Sequence, residues 1–272
     1  MNTRTAMTGM PAIPAAKHQT RRGKLLSYEL RNVFGNWYIP FFGLVFPIMM
    51  AILISVTALR DVPDAFKQEA VTGIVLGFAQ VIPMAGIFLG HSATYSKELE
   101  DRIPVRMQLF GFSQRSIMFA KLQAQMTFQT IALLVHFGVL YFVLGYQLPD
   151  PLSAVIYFAI LYLLGIIYFV FAHGISNLFR KFGPAYGVSM GLYFAFMILG
   201  GMMGVPAEML PVPVRAVANL MPFTHLSSQD MVGFWTGGSH NFAPLVQALI
   251  FFAALAAAVL LASIAYRRNR AY

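Results

Sequence analysis

The sequence has no cysteine, which excludes disulfides, thiolate metal sites and Cys nucleophiles. Charge is scarce as well: Asp, Glu, Lys and Arg make up 11% of the 272 residues, against about 25% in an average soluble domain. No G-x-x-x-x-G-K-[ST] run occurs, so the chain has no P-loop of its own to cradle ATP phosphates. The first twenty residues hold no apolar stretch of signal-peptide length, because Ala6 to Ala16 is broken by Thr8, Gly9, Pro11 and Pro14. An uncleaved, disordered tail over 1–21 is expected.

What the sequence does have is apolar surface: 58% of its residues are hydrophobic and its mean hydropathy is positive. This composition argues against a water-soluble fold. Crossing the ~30 Å hydrocarbon layer takes about 20 residues of helix, because there a segment must satisfy its own backbone hydrogen bonds. Six long runs lack Asp, Glu, Lys and Arg: Asn32 to Leu59, Ala70 to Ser96, Leu122 to Pro149, Pro151 to Phe179, Phe182 to Ala207 and Met231 to Tyr266. None alternates with the period of a barrel strand. The pattern predicts an all-α polytopic membrane protein with six spans near Tyr38 to Thr57, Val71 to Gly90, Ile117 to Leu144, Leu152 to Ala172, Pro184 to Met203 and Ala243 to Ala265.

An even number of spans puts both termini on one side. Of the 19 basic residues only Arg60, Lys67 and Arg215 fall on the other, so the positive-inside rule predicts cytosolic termini. This distribution absorbs the formal charge of +9, and a nucleic-acid partner is set aside in favour of the lipid bilayer. Trp37, Tyr38 and Tyr266 with Arg267, Arg268 and Arg270 sit where interfacial anchors belong.

Three segments outside the spans carry a pattern. Over 22–37, Leu26, Leu30, Val33, Phe34 and Trp37 recur at helical spacing among Arg22, Lys24 and Arg31. They read as an amphipathic helix in the interface, either a lead-in to the first span or a mechanical element. The segment 95–116 is the most charged, with Lys97, Glu98, Glu100, Asp101, Arg102, Arg106 and Arg115 interleaved with apolar residues. It suits docking onto a soluble partner or a solvated loop. The segment 204–241, marked by Pro206, Pro211, Pro213 and Pro222, has an uncharged run from Ala216 to Gln229 too short to cross. It suits short re-entrant helices, with an ordinary loop as the alternative.

The order of these parts resembles the permease subunits of the ABC-2 family of ABC exporters, from about Arg22 to the end. Lys97-Glu98-Leu99-Glu100-Asp101, followed by Met107-Gln108-Leu109, Phe112-Ser113 and Lys121-Leu122, is similar to the family's basic-acidic run, Leu-rich turn, Pro-x-Ser and Gly-Lys ending. Pro206 to Leu210 with Pro211, then Leu220-Met221-Pro222-Phe223-Thr224-His225, is similar to its outer segment. The chain departs at Arg102, where the family usually has Gly, at Pro104, at Gly111 in place of Pro, and at Ala120 in place of Gly. The resemblance implies that Glu98, Glu100, Asp101, Arg102 and Arg106 lie on a coupling helix docked into an ATPase subunit. It also implies a second permease chain, identical or related, and ATP with Mg on the partner ATPase rather than on this chain.

No acid falls inside the six spans as trimmed, and ion-coupled carriers usually keep one there. His136 and His173 are read as the ionisable groups at membrane depth apart from Tyr. Each is a candidate for a proton or substrate contact or for a helix-to-helix hydrogen bond. Gly200 and Gly204 have small-x-x-x-small spacing. With Gly201, Met202 and Met203 they suit tight packing within the chain, a dimer seam or a gate on the translocation path. The whole predicts a non-catalytic, ATP-driven exporter permease in the bacterial cell membrane, with a hydrophobic or amphipathic cargo such as a drug, peptide, lipid or glycan. A membrane scaffold, a membrane enzyme and an ion-gradient carrier are the alternatives.

Overall fold

A computed structural model of the chain describes residues 16–60, 62–203 and 209–269. Among them it contains helices and no strand. Most of the predicted tail, together with Gly204, Pro206 and residues 270–272, lies outside the described residues.

Helix α1 (Ala16–Phe34) begins six residues before the expected interfacial segment. It buries Leu25, Glu29 and Val33, packs Leu26 and Leu30 half-buried against the core and leaves Phe34 exposed, as is Trp37 beyond its end, so its inward face is broader than the apolar stripe read in sequence and takes in Glu29. The reason is that Glu29 has an ionic partner inside, described below.

Among the described residues six helices are long and apolar enough to cross a membrane: α2 (Tyr38–Ala58), α3 (Asp64–Glu100), α5 (Gln114–Leu144), α6 (Pro151–Phe179), α7 (Phe182–Leu199) and α11 (Ala243–Asn269). The short α4 (Ile103–Leu109) lies between α3 and α5. Among the described residues between α7 and α11 are three short helices, α8 (Val212–Ala218), α9 (Pro222–Leu226) and α10 (Gln229–Trp235). Both α1 and the last turn of α11 are at the end of the bundle that carries α4, hereafter the α1 end, where Arg267 donates to Asn177 at the foot of α6.

The largest difference from expectation is α3. It has 37 residues rather than the twenty expected, about 55 Å at 1.5 Å per residue. It therefore overhangs a ~30 Å hydrocarbon layer at both ends, and the overhangs hold the acids that the trimmed spans lacked: Asp64 and Glu69 at one end, Glu98 and Glu100 at the other. In its middle, Pro83 lacks the N–H that would bond Ala79, and the helix widens into π turns over Pro83–Leu89. A second π segment, Phe41–Val45, follows Pro40 in α2 and precedes Pro47.

Side-chain chemistry sets the helix ends. The Asp150 carboxylate accepts from the N–H groups of Leu152 and Ser153, each at 3.1 Å, and starts α6. Ser113 does the same for α5 through Ser116 N–H. Gly145, at φ 63°, ends α5 in the left-handed conformation glycine favours.

Aromatic side chains fill the core. Phe88, Tyr168, Phe171, Phe196 and Phe252 pack with ring centroids 5.4 to 6.4 Å apart, joining α3, α6, α7 and α11. At Gly174 the backbone of α11 comes so close that a Cβ would sit 2.9 Å from Leu260 N.

Candidate functional site

At the α1 end, an ionic cluster joins three helices. Lys121 of α5 is 4% exposed and donates to Glu29 of α1 at 2.8 Å and to Glu98 of α3 at 2.7 Å. The Asn32 amide donates to Glu98 at 2.8 Å. Burial pushes the Glu29 carboxyl above its usual range; Lys121 opposes the shift and Glu98 adds to it. Two carboxylates around one ammonium hold these helices in register, because separating them would strand a charge in a dry site. Just beside the cluster, Leu25, Ile117 and Ala120 form a small apolar core with Met107 of α4 and Phe112 packed against it. The methyl of Ala120, where the resembling family has Gly, is thus buried.

Helix α4 hangs from this platform. Arg102, its N-cap, has φ 56°, which explains why Gly is usual at that position. Gly111, after the helix, has φ 84°, which no Pro can adopt, so the loop takes a path closed to the family's common Pro. Pro104 occupies the first turn, where its missing N–H costs nothing, and is buried. The opposite side shows Val105, Arg106, Leu109 and Phe110, with Leu109 83% and Phe110 75% exposed.

The five residues expected on the docking surface therefore separate. Glu98 is 4% exposed inside the ionic cluster and is corrected from surface contact to internal anchor. Sequence reading placed it in a loop, whereas α3 continues through it as helix. Glu100 accepts from the Phe182 N–H at 3.1 Å, at the start of α7. Asp101 pairs with Lys97 at 3.2 Å, and its carbonyl accepts from Arg106 at 2.7 Å. Arg102 and Arg106 stay exposed.

Deeper in, His91 and Tyr95 of α3 stack against Phe169 and His173 of α6. The His91–Phe169 centroids are 4.2 Å apart and those of Tyr95–His173 4.6 Å. Lys121 Nζ stands 5.9 Å above the Tyr95 ring. His91, 1% exposed, went unnoticed in sequence because the second span was cut at Gly90. It corrects the reading that His136 and His173 alone, apart from Tyr, are ionisable at depth. His136 is remote from this stack: its Nε2 lies 3.1 Å from the Val75 carbonyl, tying α5 to α3.

At the far end the three short helices plug the bundle. Phe223, Leu226 and Met231 are fully buried. Trp235 stacks on Phe137 at 5.5 Å, and its indole N–H donates to Gln147 O at 2.8 Å. The Gln80 amide, beside the widened turns of α3, donates to Phe223 O at 3.0 Å. The Pro-Phe-Thr-His motif is thereby explained: Phe223 fills the core, the Thr224 hydroxyl donates to Ala218 O at 2.7 Å, and His225 Nε2 is 2.9 Å from Asn219 O.

Between this plug, α2, α3 and the end of α7 lies a cavity of about 630 Å³. Gly200, Gly201 and Met202 line it, whereas Met203 does not; it is half exposed. A Cβ on Gly200 would stand 2.6 Å from Met202 and 3.0 Å from Phe223. Its closeness serves packing within the chain. Gly204, the other half of the expected small-residue pair, lies outside the described residues.

Among the described residues, six helices of membrane-crossing length, a short helix slung beneath a buried ionic cluster, and a helical plug at the other end define a multi-pass membrane protein. The sequence model of the ABC-2 type transporter family matches residues 23–235. The chain belongs to that family and is an ABC transporter permease, a membrane subunit rather than a catalytic one. The match closes at Trp235, the last residue of α10, and α11 follows it. No match was found among curated proteins.

Proposed function

We propose that this permease works in an ATP-driven exporter, with cytosolic ATPase subunits beneath its α1 end and a second permease chain beside it. The observation that carries the reading is α4: a short helix whose Leu109 and Phe110 point away from the protein while Pro104 and Met107 seat it on a platform of α1, α3 and α5. Exposed apolar side chains, with Arg102, Arg106 and Arg115 also exposed in the same segment, suit a cleft on a soluble partner. Nucleotide-driven motion of that partner would tilt α4, and the Glu29–Lys121–Glu98 cluster would pass the tilt to α1, α3 and α5.

The α1 end is cytosolic on this reading, in keeping with its excess of Lys and Arg, and the setting is a bacterial cell membrane. The apolar stripe Val45, Met49, Leu53 and Val56, about half exposed on α2, suits the second permease chain. Gly201, at φ 74°, serves as a hinge of the gate between α7 and the plug, with Gly200, Met202 and Met203 beside it; Gly204, expected in the same gate, lies outside the described residues.

Co-purification from the native host in mild detergent tests the proposal. A Walker-motif ATPase should accompany the wild-type chain and be lost from the Leu109→Glu/Phe110→Glu variant with the permease still folded. Absence of any ATPase from the wild type, or its retention by the variant, overturns the reading.

A further inference from the structure

Ala70, Gly73 and Gly77 lie on one face of α3 and give the far-end cavity a wall almost without side chains. A Cβ on Gly77 would meet nothing closer than Ser227 Cβ at 3.7 Å, and one on Gly73 nothing closer than Val232 at 3.4 Å, so the space is held open by residue size. Phe66, Phe78 and Met202 make other walls apolar. A volume near 630 Å³ is that of a site for an organic molecule of drug size.

The three hydroxyls on the wall share one character, while the exposed Gln229 amide beside them offers both donors and an acceptor. The hydroxyls of Thr224, Ser227 and Ser228 donate to backbone carbonyls of Ala218, Gly200 and His225 at 2.7, 2.9 and 2.8 Å. Their protons are committed, and what they present to the cavity is lone pairs. Glu69 adds an exposed carboxylate. It has no ion-pair partner among the described residues, and Lys67, nearby in sequence, is taken by Asp64 at 2.7 Å. No Lys, Arg or His is among the described residues lining the cavity. An apolar chamber with acceptors, one negative charge and no opposing cation favours a ligand that is apolar, donor-bearing and positively charged, and disfavours an anion of the same shape.

We infer that this cavity is a binding site for an amphipathic organic cation, with Glu69 as its counter-ion. The inference gives a chemical class to the cargo of the permease function proposed above and rests on that reading for its role in transport, though not for binding itself.

The experiment measures equilibrium binding of tetraphenylphosphonium, and of its near-isosteric anion tetraphenylborate, to the full chain purified without ATPase in nanodiscs of zwitterionic lipid. Tetraphenylphosphonium should bind saturably, one per chain. Affinity should fall at least about fivefold in Glu69→Gln through loss of the charge pair, and should stay within about twofold in Glu69→Asp, which keeps the charge. Asp64→Asn, outside the cavity, should leave binding unchanged. Gly77→Leu should abolish it by filling the space, while the thermal transition persists. Equal binding of both ions, no saturable binding, or binding indifferent to Glu69→Gln or Gly77→Leu would overturn the inference. Because no ATPase is present, such a failure leaves the co-purification result standing by itself.

Discussion

Lys121 and Arg102 show what single side chains decide in this protein. Lys121→Met would leave Glu29 and Glu98 facing each other in a dry site. It should cost about 3–5 kcal/mol, read as a lowered unfolding midpoint in detergent. The triple variant Glu29→Gln, Lys121→Met, Glu98→Gln should recover most of that loss, since no buried charge then lacks a partner. Arg102 holds a left-handed backbone at φ 56°, and Arg102→Gly should stabilise the chain by about 1 kcal/mol, measured the same way. The identities of these residues were plain in sequence, but their roles were not. Glu98 looked like a surface acid in a charged loop, because nothing local reveals that Lys121, 23 positions on, and Glu29, 69 positions back, converge on it. The odd Arg at position 102 was visible as a departure from a family pattern, and only the backbone angle gives it a physical meaning.

At the scale of the helix, apolar length predicted all six spans, since a membrane-crossing segment must carry its own hydrogen bonds and its composition shows it. Their ends were less legible. Helix α3 outruns its apolar stretch in both directions because Asp64 and Lys67 pair at its start and Glu98 finds Lys121 near its finish, so polarity there did not mean loop. The approach of α6 to α11 at Gly174 was invisible too, because Gly in an apolar run signals only permission. Gly174→Leu should force the two helices apart where a Cβ already meets Leu260 N at 2.9 Å, with a loss of about 1–3 kcal/mol or more as an overpacked contact. A thermal melt of the purified chain checks it, with Gly187→Leu, where a Cβ meets nothing within 4 Å, as the control.

Across the whole molecule, sequence order conveyed the arrangement of parts: a lead helix, six spans, a charged excursion and a Pro-marked segment before the last span. What it withheld was how the far end closes. The short helices drop Phe223 between Phe196 and Phe252 at 5.2 and 6.2 Å, and that insertion leaves the cavity beside it. A run too short to cross and too apolar for water pointed to burial without saying against what. The plug depends on Trp235, 1% exposed, whose indole bonds the α5–α6 connection. Trp235→Ala should destabilise the chain by about 3–5 kcal/mol and raise protease cleavage within 209–241, mapped by mass spectrometry.

Glu69 and the pair Glu98 and Glu100 belong to opposite ends of one helix, and Gln80, beside the widened turns at its middle, grips the plug through Phe223 O. With a ligand in the cavity and a partner on α4, as proposed above, the two loads would fall on one rod that is clasped at its bend. By thermodynamic reciprocity, whatever free energy an occupant of the cavity lends to one seating of α4, that seating returns in affinity for the occupant. On that reading conversation between the two faces of the membrane would run through α3 itself, and the widened turns after Pro83 are where it would be strengthened or lost.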